Sequence, residues 1–135
     1  MKITQKNLNE IYIACGVGSL DGVAPEEIVK VMNLRKAMRP HFEAYKAFEK
    51  DVREAQPNYD RLVEIEGKAE KSEEDKQFYA DNIEAFVVGF NMAILPELNK
   101  EVELEAEGLS PETIAVLASK TKVPLAVWEV VEKAK

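Results

Sequence analysis

The sequence predicts a mainly α fold: a long antiparallel helical hairpin with a kink at Pro40, a minimal two-stranded β element and a short C-terminal helical pair. Three observations carry this. From Ile28 through Val31, Leu34, Met38, Phe42, Tyr45 and Phe48 to Val52, apolar residues recur every three or four positions, the period of one buried helical face. Phe78, Ile83, Phe86, Val87, Phe90 and Ile94 repeat that spacing in a second segment. Between Glu101 and Glu107, carboxylates alternate with Val102, Leu104 and Ala106, the period of a half-buried strand. With 135 residues, 46% of them hydrophobic and 32% charged, the chain is long enough for one domain with its own core. Within it we read an N-terminal part (1–24), the hairpin (25–98) and a C-terminal part (99–135).

The elements follow in order. "MKIT" is extended, and Asn7 with Glu10 has the spacing of a capping box for a helix through about Ala14. "GVGSLDGVAP" is turn-rich, with a short strand expected around Leu20. Pro25 suits a first helical position, because proline has no amide hydrogen to leave unpaired there, and Glu26 and Glu27 meet the positive end of the helix dipole. Pro40 removes a donor from the helix interior at a cost of about 3 kcal/mol. The apolar stripe nevertheless stays in phase across it, so a bent helix is expected rather than two. Pro57 and Asn58 stop that helix, and Glu66 to Lys76 reads as a solvated, charged connection. Ser72 caps the next helix, whose aromatic side should meet Phe42 and Tyr45, and Pro96 ends or bends it. The Glu101–Glu107 strand needs a partner, either "MKIT" or the region from Leu20 to Val23. Ser110 and Pro111 open a further helix, and Pro124 to Lys133 forms the last one, with Trp128 on its buried side.

Candidate chemistry is sparse. His41 is the only histidine and lacks a second ligand or an HExxH-like spacing, so a packing or surface role is expected. Cys15 is the only cysteine and reads as a small core residue; no disulfide can form within the chain, which suits a reducing compartment. "GVGSLDG" has neither the GxGxxG spacing nor the lysine and hydroxyl residue of a phosphate-binding loop, and two carboxylates follow it. Carboxylate pairs such as Glu49 with Asp51, or Glu73 with Glu74, lie among lysines that neutralise them. We therefore expect no enzyme, no cofactor, no metal and no small-molecule substrate. A net charge of −7 argues against nucleic acid as a first partner. No apolar run is long enough for a signal peptide or a bilayer span, so the expected location is the cytoplasm.

The C-terminus offers a rival reading. Residues 111–133 have the outline of a helix-turn-helix, with Ala118 at the close-packing position, Val123 in the turn, and Val127 with Val130 or Val131 buried. A small DNA-binding regulator is the alternative function, although Leu125, Ala126 and Glu129 stand where a base reader would expose polar or basic residues. The same residues also serve as a cap packed on the hairpin, or as a partner-binding surface made of Leu125, Trp128 and Glu129.

"KNLNEIY", "NLRKAMRPHFEAYKAFEKDVRE" and "FNMAILPELNKEVELEAEGLSPE" resemble stretches of a family of small bacteriophage and prophage proteins of unknown function, over roughly residues 1–115. "RPHFEAYKAFE" departs from that pattern by placing histidine where an acidic residue is usual. The resemblance implies phage or prophage origin, a particle-assembly or accessory role, and a location in the host cytoplasm or on the virion. It transfers no catalytic residue. Taken with the residues, it leads us to expect a non-enzymatic structural or interaction protein, binding protein partners or itself through the hairpin or the C-terminal segment.

Overall fold

The computed structural model describes residues 1–17 and 20–132 and is mainly α. In order, the elements are β1 (Lys2–Thr4), α1 (Gln5–Val17), α2 (Pro25–Ala55), α3 (Tyr59–Glu66), α4 (Glu73–Leu98), β2 (Glu101–Glu103), α5 (Pro111–Lys120) and α6 (Leu125–Trp128), followed by a 3-10 turn at Glu129–Val131. The chain divides into two compact units, Met1–Tyr45 with Leu98–Lys135, and Lys46–Glu97. The divisions fall inside α2 and α4, where the sequence carries no break in composition.

In the first unit, β1 and β2 pair antiparallel with Ile3 opposite Val102. "MKIT" is thus the partner strand. Leu20 to Val23 instead forms a turn, closed by the Val23 amide donating to the Leu20 carbonyl (3.1 Å) and turned through Gly22 at φ 89°. The sheet is shorter than the alternation from Glu101 to Glu107 suggests, because β1 ends where α1 begins. Thr4 caps that helix by accepting from the Asn7 amide (3.3 Å), so the cap lies three residues before the Asn7 expected from sequence. Helix α1 continues past Ala14 to Val17, over Gly16. A Cβ at Gly16 would lie 2.7 Å from Arg35 Nη2, so the glycine makes room for a guanidinium that also sits 4.2 Å from the centre of the Tyr12 ring. Gly18 and Ser19, in the middle of the glycine-rich stretch, and Lys133, the expected end of the last helix, lie outside the described residues.

Leu8 and Ile11 of α1, Val31, Leu34 and Met38 of α2, Leu104, Ile114 and Leu117, Trp128 and Val131 form one buried cluster. Helix α2 runs unbroken through Pro40. Pro40 and Lys36 are both exposed, so the Lys36 carbonyl that loses its donor sits where water can replace it. Ser110 caps α5 by accepting from the Thr113 amide (3.2 Å), and Pro111 occupies the first helical position. The Ser110 amide in turn donates to the buried Glu27 carboxylate (3.2 Å), tying α5 to the first turn of α2. The last expected helix, Pro124 to Lys133, is cut to the single turn of α6. The Leu109 amide takes the Val131 carbonyl (2.8 Å), and Leu109 bridges Glu132 in parallel, which draws the backbone into extended pairing.

The second unit contains the end of α2, all of α3 and most of α4. Arg53 lies over the Phe90 ring (5.1 Å), Tyr59 stacks on Phe86 (6.3 Å) and Asn58 donates to Asn82 (3.2 Å). From Arg53 to Asn58 and Tyr59 the partner on α4 moves back from Phe90 to Asn82 and Phe86, so the two sides run antiparallel. Helix α3 was not foreseen; it starts from Asn58, held at φ 66°, and buries Leu62 and Ile65. Its presence changes the expected aromatic pairing: Phe86 stacks on Tyr59, and in the first unit Phe42 stacks on Tyr12 (4.4 Å). Two segments not assigned to the hairpin, α1 and α3, thus supply aromatic partners that the sequence reading sought only between the long helices.

Candidate interaction surface

The residues singled out by sequence do not converge on a reactive site. Cys15 is largely buried, and desolvation raises its thiol pKa to about 11 against a smaller opposing effect of Arg35. It is therefore a protonated, unreactive thiol at neutral pH. His41 is half-buried, and its backbone carbonyl accepts from Gln5 Nε2 (3.3 Å). Glu49 pairs with Arg53 (3.0 Å) and Lys46 (3.3 Å), and Glu73 with Lys76 (3.5 Å), while Asp51 and Glu74 are exposed. Among the described residues, no group of three or more His, Cys, Asp and Glu side chains could hold a metal ion. Among them also, no helix is long and apolar enough to cross a membrane.

At the C-terminus, Leu125 (53% exposed) and Glu129 face solvent, but Trp128 is wholly buried. Trp128 cannot serve as the largest contact for a partner; it is a core residue, and of the three proposed there it corrects to packing. The helix-turn-helix outline changes as well. Helix α6 has four residues, about 6 Å of helix, too short to lay three or four side chains along a major groove. Val131 is the buried one of the valine pair, and Val130 is partly exposed.

The charged connection holds a cluster that sequence reading passed over. The buried Asp75 carboxylate accepts from Lys68 Nζ (2.9 Å), Arg61 Nη2 (3.0 Å) and the Ser72 amide (3.4 Å), and the Asp75 amide donates back to the Ser72 hydroxyl (3.1 Å). This reciprocal cap starts α4. The Lys68 hydrogen bond, ahead of the opposing desolvation, holds the Asp75 carboxyl below its ordinary pKa. Beside it, a cleft of about 360 Å³ is lined by Glu66, Lys71, Lys76, Tyr79 and Ala80. The Tyr79 hydroxyl donates to Glu66 (2.7 Å), and that carboxylate raises the phenol's pKa. The cleft therefore offers a protonated phenol and paired charges, without an activated base or nucleophile.

What stands out is α4 itself. Between Glu84 and Glu97 it carries no ionisable residue at all. Phe86 and Phe90 turn toward the α2 and α3 side, and Ile94 is buried. The opposite side is apolar too: Val88 is 48% exposed, Met92 71% and Leu95 55%, with Ala85 and Val87 also exposed. A helix apolar all round normally lies inside a core. The second unit cannot supply one, since its buried apolar side chains among the described residues are Leu62, Ile65 and Ile94. Ala85, Val88, Met92 and Leu95 follow one another at spacings of three, four and three, a single stripe along the helix. The sequence reading assigned one face of α4 to the hairpin and missed the second, although the 12-residue uncharged run was visible. No protein family, curated protein or solved structure matches the chain.

Proposed function

We propose that the protein is a non-enzymatic interaction protein that docks on other polypeptide through the outer face of α4. The observation that carries this reading is the stripe Ala85, Val88, Met92 and Leu95, left in water on a helix whose other side is already packed. The largest contiguous exposed apolar patch of a typical monomer measures about 300–600 Å² and is often functional. Singly exposed apolar residues elsewhere, such as Ile13 or Val63, form no comparable line and need no partner. The bacteriophage resemblance gains nothing from comparison with known proteins, so an assembly role is no part of the proposal.

The test is a photo-crosslinking residue placed at position 92 and, as a control, at position 76, an exposed lysine on the other side of the same helix. In the cells that make the protein, an adduct with a defined polypeptide is expected from Met92→benzoylphenylalanine and not from the Lys76 substitution. Equal labelling from both positions, or none from either, overturns the reading.

A further inference from the structure

We propose that the cleft formed by the end of α3, the charged connection and the start of α4 binds a small zwitterion, a free amino acid with an apolar side chain. Its ammonium meets Glu66, its carboxylate meets Lys71 and Lys76, and its apolar part lies on Tyr79 and Ala80. The site lies within the second unit and does not depend on the outer face of α4. At about 360 Å³ the cleft falls at the small end of ligand pockets, roughly 300–1,000 Å³, which suits a molecule of amino-acid size.

The placement of charge carries the inference. Glu66 and two lysines border the same cleft, yet neither ammonium lies within ion-pair distance of Glu66. The Tyr79 hydroxyl donates to Glu66 Oε1 (2.7 Å), which fixes the carboxylate and leaves its second oxygen to accept from a ligand. Lys71 donates to the Lys68 backbone carbonyl (3.0 Å), a neutral partner that orients the side chain without cancelling its charge. Lys76 pairs at 3.5 Å with Glu73, whose side chain is 94% exposed, and such a pair in water contributes little. The neighbouring Asp75 carboxylate is already compensated by Arg61 and Lys68, so it leaves Lys71 and Lys76 to the ligand.

Opposite charges held apart around an aromatic ring and a methyl group are complementary to a molecule that carries both charges on a short apolar body. A plain carboxylic acid would bring its charge toward Glu66, and a plain amine would face two ammoniums. An amino acid meets each wall with the opposite sign.

The experiment is an amide-resolved NMR titration of the full chain with leucine, with isocaproate, which lacks the ammonium, and with isoamylamine, which lacks the carboxylate. Leucine is expected to shift the amides of Lys71, Lys76, Tyr79 and Ala80 saturably, with half-saturation at roughly 0.1–5 mM, and each analogue should bind at least about tenfold more weakly. Glu66→Gln should remove the advantage of leucine over isocaproate, and the double variant Lys71→Gln with Lys76→Gln should remove its advantage over isoamylamine. All three side chains are exposed, so the thermal melts of these variants should change little and a loss of binding is not a loss of fold. Binding of either analogue as tight as that of leucine overturns the zwitterion. No saturable shift at these amides up to about 50 mM leucine overturns the site itself.

Discussion

Replacing Trp128, the only tryptophan in the chain, by alanine separates a core role from a surface one. Trp128 is fully buried and belongs to the cluster that holds Leu109, Leu117 and Val131. Truncation to alanine withdraws roughly 150 Å² of apolar burial, worth about 4 kcal/mol at 25 cal/mol per Å². Two further effects oppose each other. Incomplete collapse around the gap adds to the loss, and removing the indole N–H, which has no hydrogen-bond partner among the described residues, returns about 1–3 kcal/mol. The expected net loss is about 3–5 kcal/mol, a large share of the 5–15 kcal/mol that holds a domain of this kind together. Trp128→Phe keeps the ring and removes the orphaned donor, so it should cost less than about 1.5 kcal/mol. Urea unfolding followed by circular dichroism measures both, with the slope of the transition checked for constancy. A Trp128→Ala loss below about 1 kcal/mol would refute the reasoning, because a side chain with that little effect is not filling a core. A phenylalanine variant as damaged as the alanine one would show that the indole N–H is bonded after all.

Three other outcomes follow from local geometry. Ser110→Ala removes the acceptor for the Thr113 amide and should cost about 1 kcal/mol in the same unfolding assay, whereas the neutral cap of Ser110→Asn, which brings no second carboxylate beside Glu27, should restore most of it. The Asp75 carboxyl has a folded-state pKa below its unfolded value, so its contribution is present above about pH 4 and fades as the pH falls through the folded value; melting temperature should fall in acid for the native chain, and Asp75→Asn should flatten that fall. Cys15, its thiol raised from 9.0 to about 11, should alkylate about a hundredfold more slowly at pH 8 than the thiol of the urea-unfolded chain, followed by mass spectrometry. An equal rate in both states would mean that the thiol is open to solvent.

The readable parts of the fold were those where one local signal sufficed. Pro25 with two acids, and Ser110 with Pro111, set helix starts through capping chemistry that depends on a few neighbouring residues. The in-phase stripe across Pro40 gave one helix because an exposed proline loses a hydrogen bond but no packing. Elements fixed by distant partners were harder. Strand β2 stops at Glu103 because β1 is three residues long, and the helical turns after Pro124 end at Val131, whose carbonyl accepts from the Leu109 amide. Helix α3 was hidden inside a mixed-charge stretch, where Tyr59, Leu62 and Ile65 are too few to make a period stand out. The candidate site failed for a different reason. Trp128 was read both as buried and as a contact surface, and single-helix periodicity cannot say whether an apolar face meets its own chain or another.

That ambiguity is resolved differently in the two units. In the first unit, α1, α2, α5, the strands and α6 surround one another, and their large side chains reach zero or near-zero exposure. In the second unit, one helix carries two apolar faces and its neighbours cover one of them. Adding charge to that outer face would raise solubility without touching a packed contact, so Met92 or Val88 as glutamate is compatible with the fold on its own terms. Packing accounts for Phe86, Phe90 and Ile94, but the absence of charge at the outer positions Ala85, Val88, Met92 and Leu95, in a chain that is 32% charged, is not accounted for by any packed contact among the described residues. The proposed occupied face explains it: desolvating a carboxylate or an ammonium at the centre of a contact costs several kcal/mol, and the uncharged run is where such a contact would lie.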